Sequence, residues 1–161
     1  MNPKIRPSSP DFRWDGVGVH PYKEDQLDAA GVPIFRAITR QTLFNEPALG
    51  CELRYFEMAA GGYSTLERHE HSHAVMIFRG HGKCLLGGEV RDVGPHDLIT
   101  IPAWTWHQFR AEADGPLGFL CMVNAARDKP QLPNADELAA MQADPALAEF
   151  LAPLPNPPGT P

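Results

Sequence analysis

No stretch of this 161-residue sequence approaches the roughly 20 consecutive apolar residues that a membrane helix requires. The opening MNPKIRPSSP lacks the apolar core of a secretory signal, so no export leader is expected. Basic clusters are missing too. With 14 Lys and Arg against 20 Asp and Glu the formal charge is −6, which argues against nucleic acid or an anionic membrane as partner. Cysteine is scarce: Cys51, Cys84 and Cys121 are odd in number, far apart and set in strand-like runs. They are expected to be buried, reduced thiols of a cytoplasmic protein, not a disulfide framework or a cysteine-ligated zinc site. Internal repeats, a nucleophilic triad, a phosphate-cradling glycine loop and a dinucleotide fingerprint are also absent.

Proline and glycine, in contrast, are plentiful at 17 and 14 residues, without any repeat. Together with 43% hydrophobic and 21% charged residues, this favours one all-β domain of short strands and tight turns over a helical bundle. Residues 1–14 read as a flexible, proline-rich N-terminal arm, 15–130 as a β-barrel, 131–152 as a short helical tail and 153–161 as a disordered end. Strands are expected at 17–20, 34–44, 51–58, 74–78, 83–86, 89–93, 97–101, 105–110 and 117–124. Residues 25–31 read as a loop or single helical turn, and Gly87-Gly88 as a two-residue hairpin turn. In the tail, Asn134 with Glu137 three residues on is a capping-box signal, and Asp144-Pro145 opens a second short helix.

The stretch around which everything else is arranged is 61–82, GGYSTLERHEHSHAVMIFRGHG. Three of the seven histidines alternate there, and strand alternation would put Glu67, His69 and His73 on one face with Glu70 and Ser72 on the other. His107 follows downstream in IPAWTWHQF. Imidazoles and a carboxylate converging from a rigid scaffold suit a divalent transition metal, with manganese, iron, nickel, cobalt and zinc all open. The strand 74–78 is apolar on both faces, so both are expected to be buried, one inside the barrel and the other under a second sheet or a second subunit. A homodimer is one outcome of that expectation.

These residues resemble the cupin superfamily, which are double-stranded β-helix (jelly-roll-like) barrels. The first cupin motif, laid without a gap, runs from Gly61 to Gly80. Its two histidine positions fall on Glu67 and His69, and its glutamate position falls on His73. The second motif keeps Pro102 and the ligand His107, with His96 and Trp104 standing where the family has glycines. The resemblance implies a metal held by Glu67, His69, His73 and His107. The permuted order is similar to that of the manganese-dependent (S)-ureidoglycine aminohydrolases, which are two-barrel chains with glutamine at the position of His107. The likeness is therefore to a ligand pattern and carries no substrate across.

His71 leaves an alternative open. It could join His69 and His107 as a ligand, with Glu67 and His73 behind them. Otherwise it lies in the loop, solvated or at the barrel mouth, where it could act as an acid or base. Phe109 and Phe119 are candidates for the pocket wall, Trp106 for outward packing, and an inward Arg54 would suit an anionic substrate. The expected function is a small metalloenzyme acting on a small polar or aromatic molecule, as a lyase, isomerase, hydrolase or oxygenase. The alternative is a non-catalytic metal- or ligand-binding module.

Overall fold

The computed structural model describes residues 4–22 and 34–154. The loop expected at 25–31 and most of the C-terminal end expected to be disordered lie outside them. Nine strands run in order β1 (His20–Pro21), β2 (Arg36–Glu46), β3 (Cys51–Tyr63), β4 (His73–Gly80), β5 (Gly82–Leu86), β6 (Glu89–Val93), β7 (Leu98–Ile101), β8 (His107–Ala111) and β9 (Leu117–Asn124). Two helices follow, α1 (Ala135–Gln142) and α2 (Pro145–Leu151). Among the described residues no helix is long and apolar enough to cross a membrane.

The strands form one continuous sheet, ordered β6-β5-β8-β3-β9-β4-β7, with β2 and then β1 added at β3. It curls into two halves. One holds β7, β4, β9, the first part of β3, and β2; the other holds β6, β5 and β8. The chain passes between halves where β3 continues through Gly61-Gly62 to pair Tyr63 with Arg110, and again at the Gly80-His81-Gly82 corner. Expected closure of the third strand at Ala59-Ala60-Gly61-Gly62 is corrected: Gly61, at φ 65°, bends the strand without ending it.

Strand alternation then fixes what faces inward. Ile38 pairs with Met58, Arg40 with Phe56 and Thr42 with Arg54 across β2 and β3. Arg54 pairs with Cys121 and Phe56 with Phe119 across β3 and β9. His73 and Val75 oppose Val123 and Cys121 from β4. Residues two apart share a face, so the arginines, His73, and the stacked rings of Phe56, Phe119 and Phe109 line one concave surface. Val75, Ile77, Met58 and Leu117 are wholly buried there.

No second sheet of the described chain covers the outer face of β4, one of the two coverings expected; a second subunit is the other. Met76 and Phe78 are both 41% exposed, and Met122 and Leu98 beside them are 55% and 65% exposed. The chain's own N-terminal segment covers only part of this face: Phe12 and Trp14 pack against Tyr55 and Phe78, and Gln41 holds the segment by donating to the Phe12 carbonyl at 2.8 Å.

The helical tail packs on the outside of the second half. Asn134 and Glu137 form the reciprocal capping box, and Asp144 accepts from the N–H groups of Ala146 and Leu147. Seven residues are too few for a stable isolated helix. Burial of Leu147 and Phe150 against Leu66 and Leu85, about 1.5–3 kcal/mol per side chain, is what holds α2 in place.

Both non-glycine residues at the family's glycine positions keep the glycine conformation, with φ 78° at His96 and 58° at Trp104. His96→Gly should therefore stabilise the fold by about 1 kcal/mol, once relief of left-handed strain is set against added unfolded-state entropy. Gly80→Ala should do the opposite, because its Cβ would sit 1.8 Å from the Pro116 carbonyl oxygen at φ 72°. A loss of roughly 3 kcal/mol or more is expected. Denaturant unfolding of the two variants checks both signs.

Candidate metal centre

Ligand-bearing segments arrive from both halves of the sheet. His73 opens β4 and His107 opens β8, while Glu67 and His69 lie on the connection between β3 and β4. That connection is not the continuous strand the alternation assumed. Glu67 and Arg68 make only isolated bridges, to His107 and Gln131, and the chain then bends at Glu70 and His71. The bend is fastened from outside the motif. Asp128 accepts from the Glu70 N–H at 2.8 Å and the His71 N–H at 3.3 Å, and its carboxylate meets His71 Nδ1 at 2.6 Å. The Glu70 N–H, then His71, holds Asp128 well below the usual carboxylate range. Nothing in the sequence pointed to Asp128, 57 residues further along the chain.

His69, His73 and His107 come together, with one potential ligand atom from each lying within 4.8 Å of the others. Their ring centroids are 4.9 to 5.0 Å apart. Each ring uses Nδ1 for support. His69 Nδ1 faces the His71 carbonyl at 2.7 Å, His107 Nδ1 faces the Thr105 carbonyl at 2.9 Å, and His73 Nδ1 lies 3.3 Å from Cys121 Sγ. A ring donating from Nδ1 leaves Nε2 with its lone pair free, as in metal-ligating histidines. His73 Nε2 is buried with no partner. The donor set thus fits a divalent transition metal.

Electrostatics agree with that fit. Burial, and then the proximity of His107 and His69, push His73 down to about 3. Burial likewise lowers His69 and His107, although the nearby Glu67 carboxylate acts to raise both. All three rings are therefore neutral near pH 7, the form that binds a metal.

Glu67 is locked opposite His107 by two backbone hydrogen bonds of 3.0 and 3.2 Å and lines the same cavity. Its carboxylate lies outside the group of ligand atoms within 4.8 Å. His71 is not solvated: its side chain is 8% exposed, and its ring stacks on His69 at 3.7 Å with planes 3° apart. The cavity bounded by these residues measures about 290 Å³ and is also lined by Phe109, Phe119, Arg40, Arg54, Thr65 and Arg127. Arg54 does face inward, but Glu52 neutralises it. Trp106 packs outward beneath the Arg68 guanidinium, and Trp104 is half-exposed, its backbone N–H donating to the His69 carbonyl at 2.7 Å. Arg40, Thr65 and Arg127 were not singled out from sequence. For Arg40 a signal existed, since it shares the parity of Ile38 on β2.

A depressed histidine pKa makes the metal-free fold acid-sensitive. Between the ordinary histidine pKa of about 6.5 and about 3 for His73, the unfolded chain takes up a proton that the folded one refuses. Stability is therefore present above pH 6.5 and falls as pH drops, by up to about 1.4 kcal/mol per pH unit for each such ring. The thermal midpoint of chelator-treated protein should fall steadily from pH 7 to pH 5, and His73→Asn should flatten that slope. Equal slopes would mean that His73 is not held neutral by the fold.

Comparison with known proteins agrees with this geometry. Residues 54–123 match the family described as "Cupin domain". A 1-methylthio-D-xylulose 5-phosphate methylsulfurylase of Rhodospirillum rubrum is 56% identical over 147 residues, which cover 91% of either chain. The crystal structure of a cupin 2 conserved barrel domain protein from Rhodopseudomonas palustris is 55% identical, covers 91% of this chain and 98% of its own, and superposes with a TM-score of 0.84. A cupin-2 domain structure from Rhodospirillum rubrum is 54% identical over 91% of this chain and 95% of its own, with a TM-score of 0.80. On its strand order, its histidine cluster and these likenesses, the chain belongs to the cupin superfamily.

Proposed function

We propose that this cupin is a metal-dependent enzyme that cleaves the bond between C1 and sulfur in a 1-methylthio-2-ketopentose 5-phosphate. The observation that carries the reading is a small cavity holding three neutral imidazoles and several arginines, in a chain 56% identical to a methylsulfurylase of that substrate across 91% of both proteins. Carbon 1 of such a sugar lies next to the C2 carbonyl, so an electron pair left on C1 when the C–S bond breaks is delocalised onto the C2 oxygen. His69, His73 and His107 would hold a divalent ion, which when bound would supply a Lewis acid for that oxygen.

The chain's own residues do the rest. The Phe109, Phe119 and Phe56 rings keep water from the floor of the cavity. His71, oriented by Asp128 and by its stack on His69, is the proposed proton donor to C1. Glu67 is proposed as a fourth ligand or as a carboxylate that strengthens the neighbouring imidazoles. Burial pushes the Cys121 thiol up to about 12, which makes it a poor acceptor for the methylthio group. An external thiol fills that role: its sulfur bonds to the methylthio sulfur as the C1–S bond breaks, and C1 takes a proton.

Metal-loaded protein mixed with 1-methylthio-D-xylulose 5-phosphate and a thiol should consume the S-methyl proton NMR signal of the sugar. His107→Ala should lose both the metal and turnover, whereas His71→Gln should keep the metal and lower kcat by about 10²–10⁴-fold. No change in the sugar signal with fully metal-loaded protein would refute the reaction. The exposed Met76, Leu98 and Met122 support the homodimer expected from sequence. Light scattering should return twice 17.7 kDa, and Met122→Glu should shift it toward the monomer.

A further inference from the structure

Among the described residues three buried side-chain atoms have no hydrogen-bond partner: His73 Nε2, Arg40 Nε and Thr65 Oγ1. Such orphans are uncommon in folded proteins and costly. Scattered over the core, they would be isolated faults, but all three residues line the same cavity. The first belongs to the three-histidine cluster that would hold a metal. The other two are a guanidinium N–H, which only donates, and a hydroxyl, which both donates and accepts. That pair is complementary to an anion with a neighbouring hydroxyl.

The remaining arginines of the cavity are already engaged. Arg54 Nε donates to Glu52 at 2.7 Å; Arg127 donates to the same carboxylate oxygen at 3.1 Å and to the Asn124 carbonyl at 2.7 Å. Arg40 stands apart from both. It opposes Phe56 in the β2–β3 register, with its guanidinium carbon 6.0 Å from the Tyr22 ring centroid. We infer that Arg40 binds the phosphoryl group of the substrate and sets the preference for a phosphorylated sugar, while Thr65 bonds a sugar hydroxyl. This assignment rests on the sugar-phosphate reading above. It makes Arg40 a specificity-determining residue separate from the metal ligands.

Calorimetric titration of D-xylulose 5-phosphate and of unphosphorylated D-xylulose into metal-loaded protein tests it. Wild type should bind the phosphorylated sugar about 100-fold more tightly, and Arg40→Met should reduce that preference to roughly fivefold or less with metal content unchanged. Arg127→Met should leave the preference within about threefold of wild type, and Thr65→Val should weaken both sugars alike by about tenfold. Without ligand, Arg40→Met and Thr65→Val should also unfold at higher temperature than wild type, because each removes a buried atom that lacks a partner. That gain would not follow if these side chains served structure alone. A wild-type protein indifferent to the phosphate would sink the sugar-phosphate reading and the assignment with it. Discrimination that survives Arg40→Met, or vanishes in Arg127→Met instead, would overturn the assignment alone.

Discussion

An imidazole taken out of water next to two others cannot hold a proton, and its two nitrogens must still be satisfied. In this barrel each ring of the cluster turns Nδ1 to a neighbouring carbonyl or thiol, so that Nε2 is the atom left over. Leaving such an atom buried and unpaired costs about 1–3 kcal/mol, a sizeable share of the 5–15 kcal/mol that stabilises a typical domain. Of the three, His73 Nε2 is the one buried without a partner, and a cation held among the rings would offset that cost. Much of the surrounding structure serves that arrangement. The two halves of the curled sheet carry His73 and His107 to the same place, and the Glu67–His107 backbone pair and the Asp128 carboxylate fix the loop that carries His69.

The cavity beyond the cluster extends the same logic. Its floor is a stack of phenylalanines, so a ligand there is shielded from water. Its walls hold arginines in two distinct states: Arg54 and Arg127 share the Glu52 carboxylate, and Arg40 keeps an unused donor. A cavity of about 290 Å³ with three clustered imidazoles and an unpaired guanidinium N–H matches a small, bifunctional, anionic molecule better than a large or purely apolar one. The apolar patch of Met76, Leu98 and Met122 lies on the opposite face of the sheet, away from this chemistry.

The fold was legible because its signals are local. Turn residues, strand alternation and the capping box at Asn134 each report on a few neighbouring positions, and both helices and eight of the nine expected strands followed; the strand expected at 17–20 is instead a two-residue pairing at His20–Pro21. The ligand histidines were legible through spacing inside a glycine framework, even though 64–72 is a stitched loop and not a strand. Three things were not legible. The outward exposure of Met76 and Phe78 depends on what covers a sheet face, which the apolar pattern of one strand cannot specify. Asp128 acts through a contact between segments 57 residues apart, and no local pattern encodes it. His96 and Trp104 kept a glycine-like backbone because the corners they occupy are fixed by the strands on either side, so the residue accepts the strain.

The most direct measurement is a crystal structure of the protein as purified, with anomalous diffraction recorded at the absorption edge of whichever metal elemental analysis finds. A single peak bonded at about 2.0–2.3 Å to Nε2 of His69, His73 and His107 is the predicted result. An anomalous peak elsewhere, or rings turned so that Nδ1 instead of Nε2 faces the cavity, would contradict it.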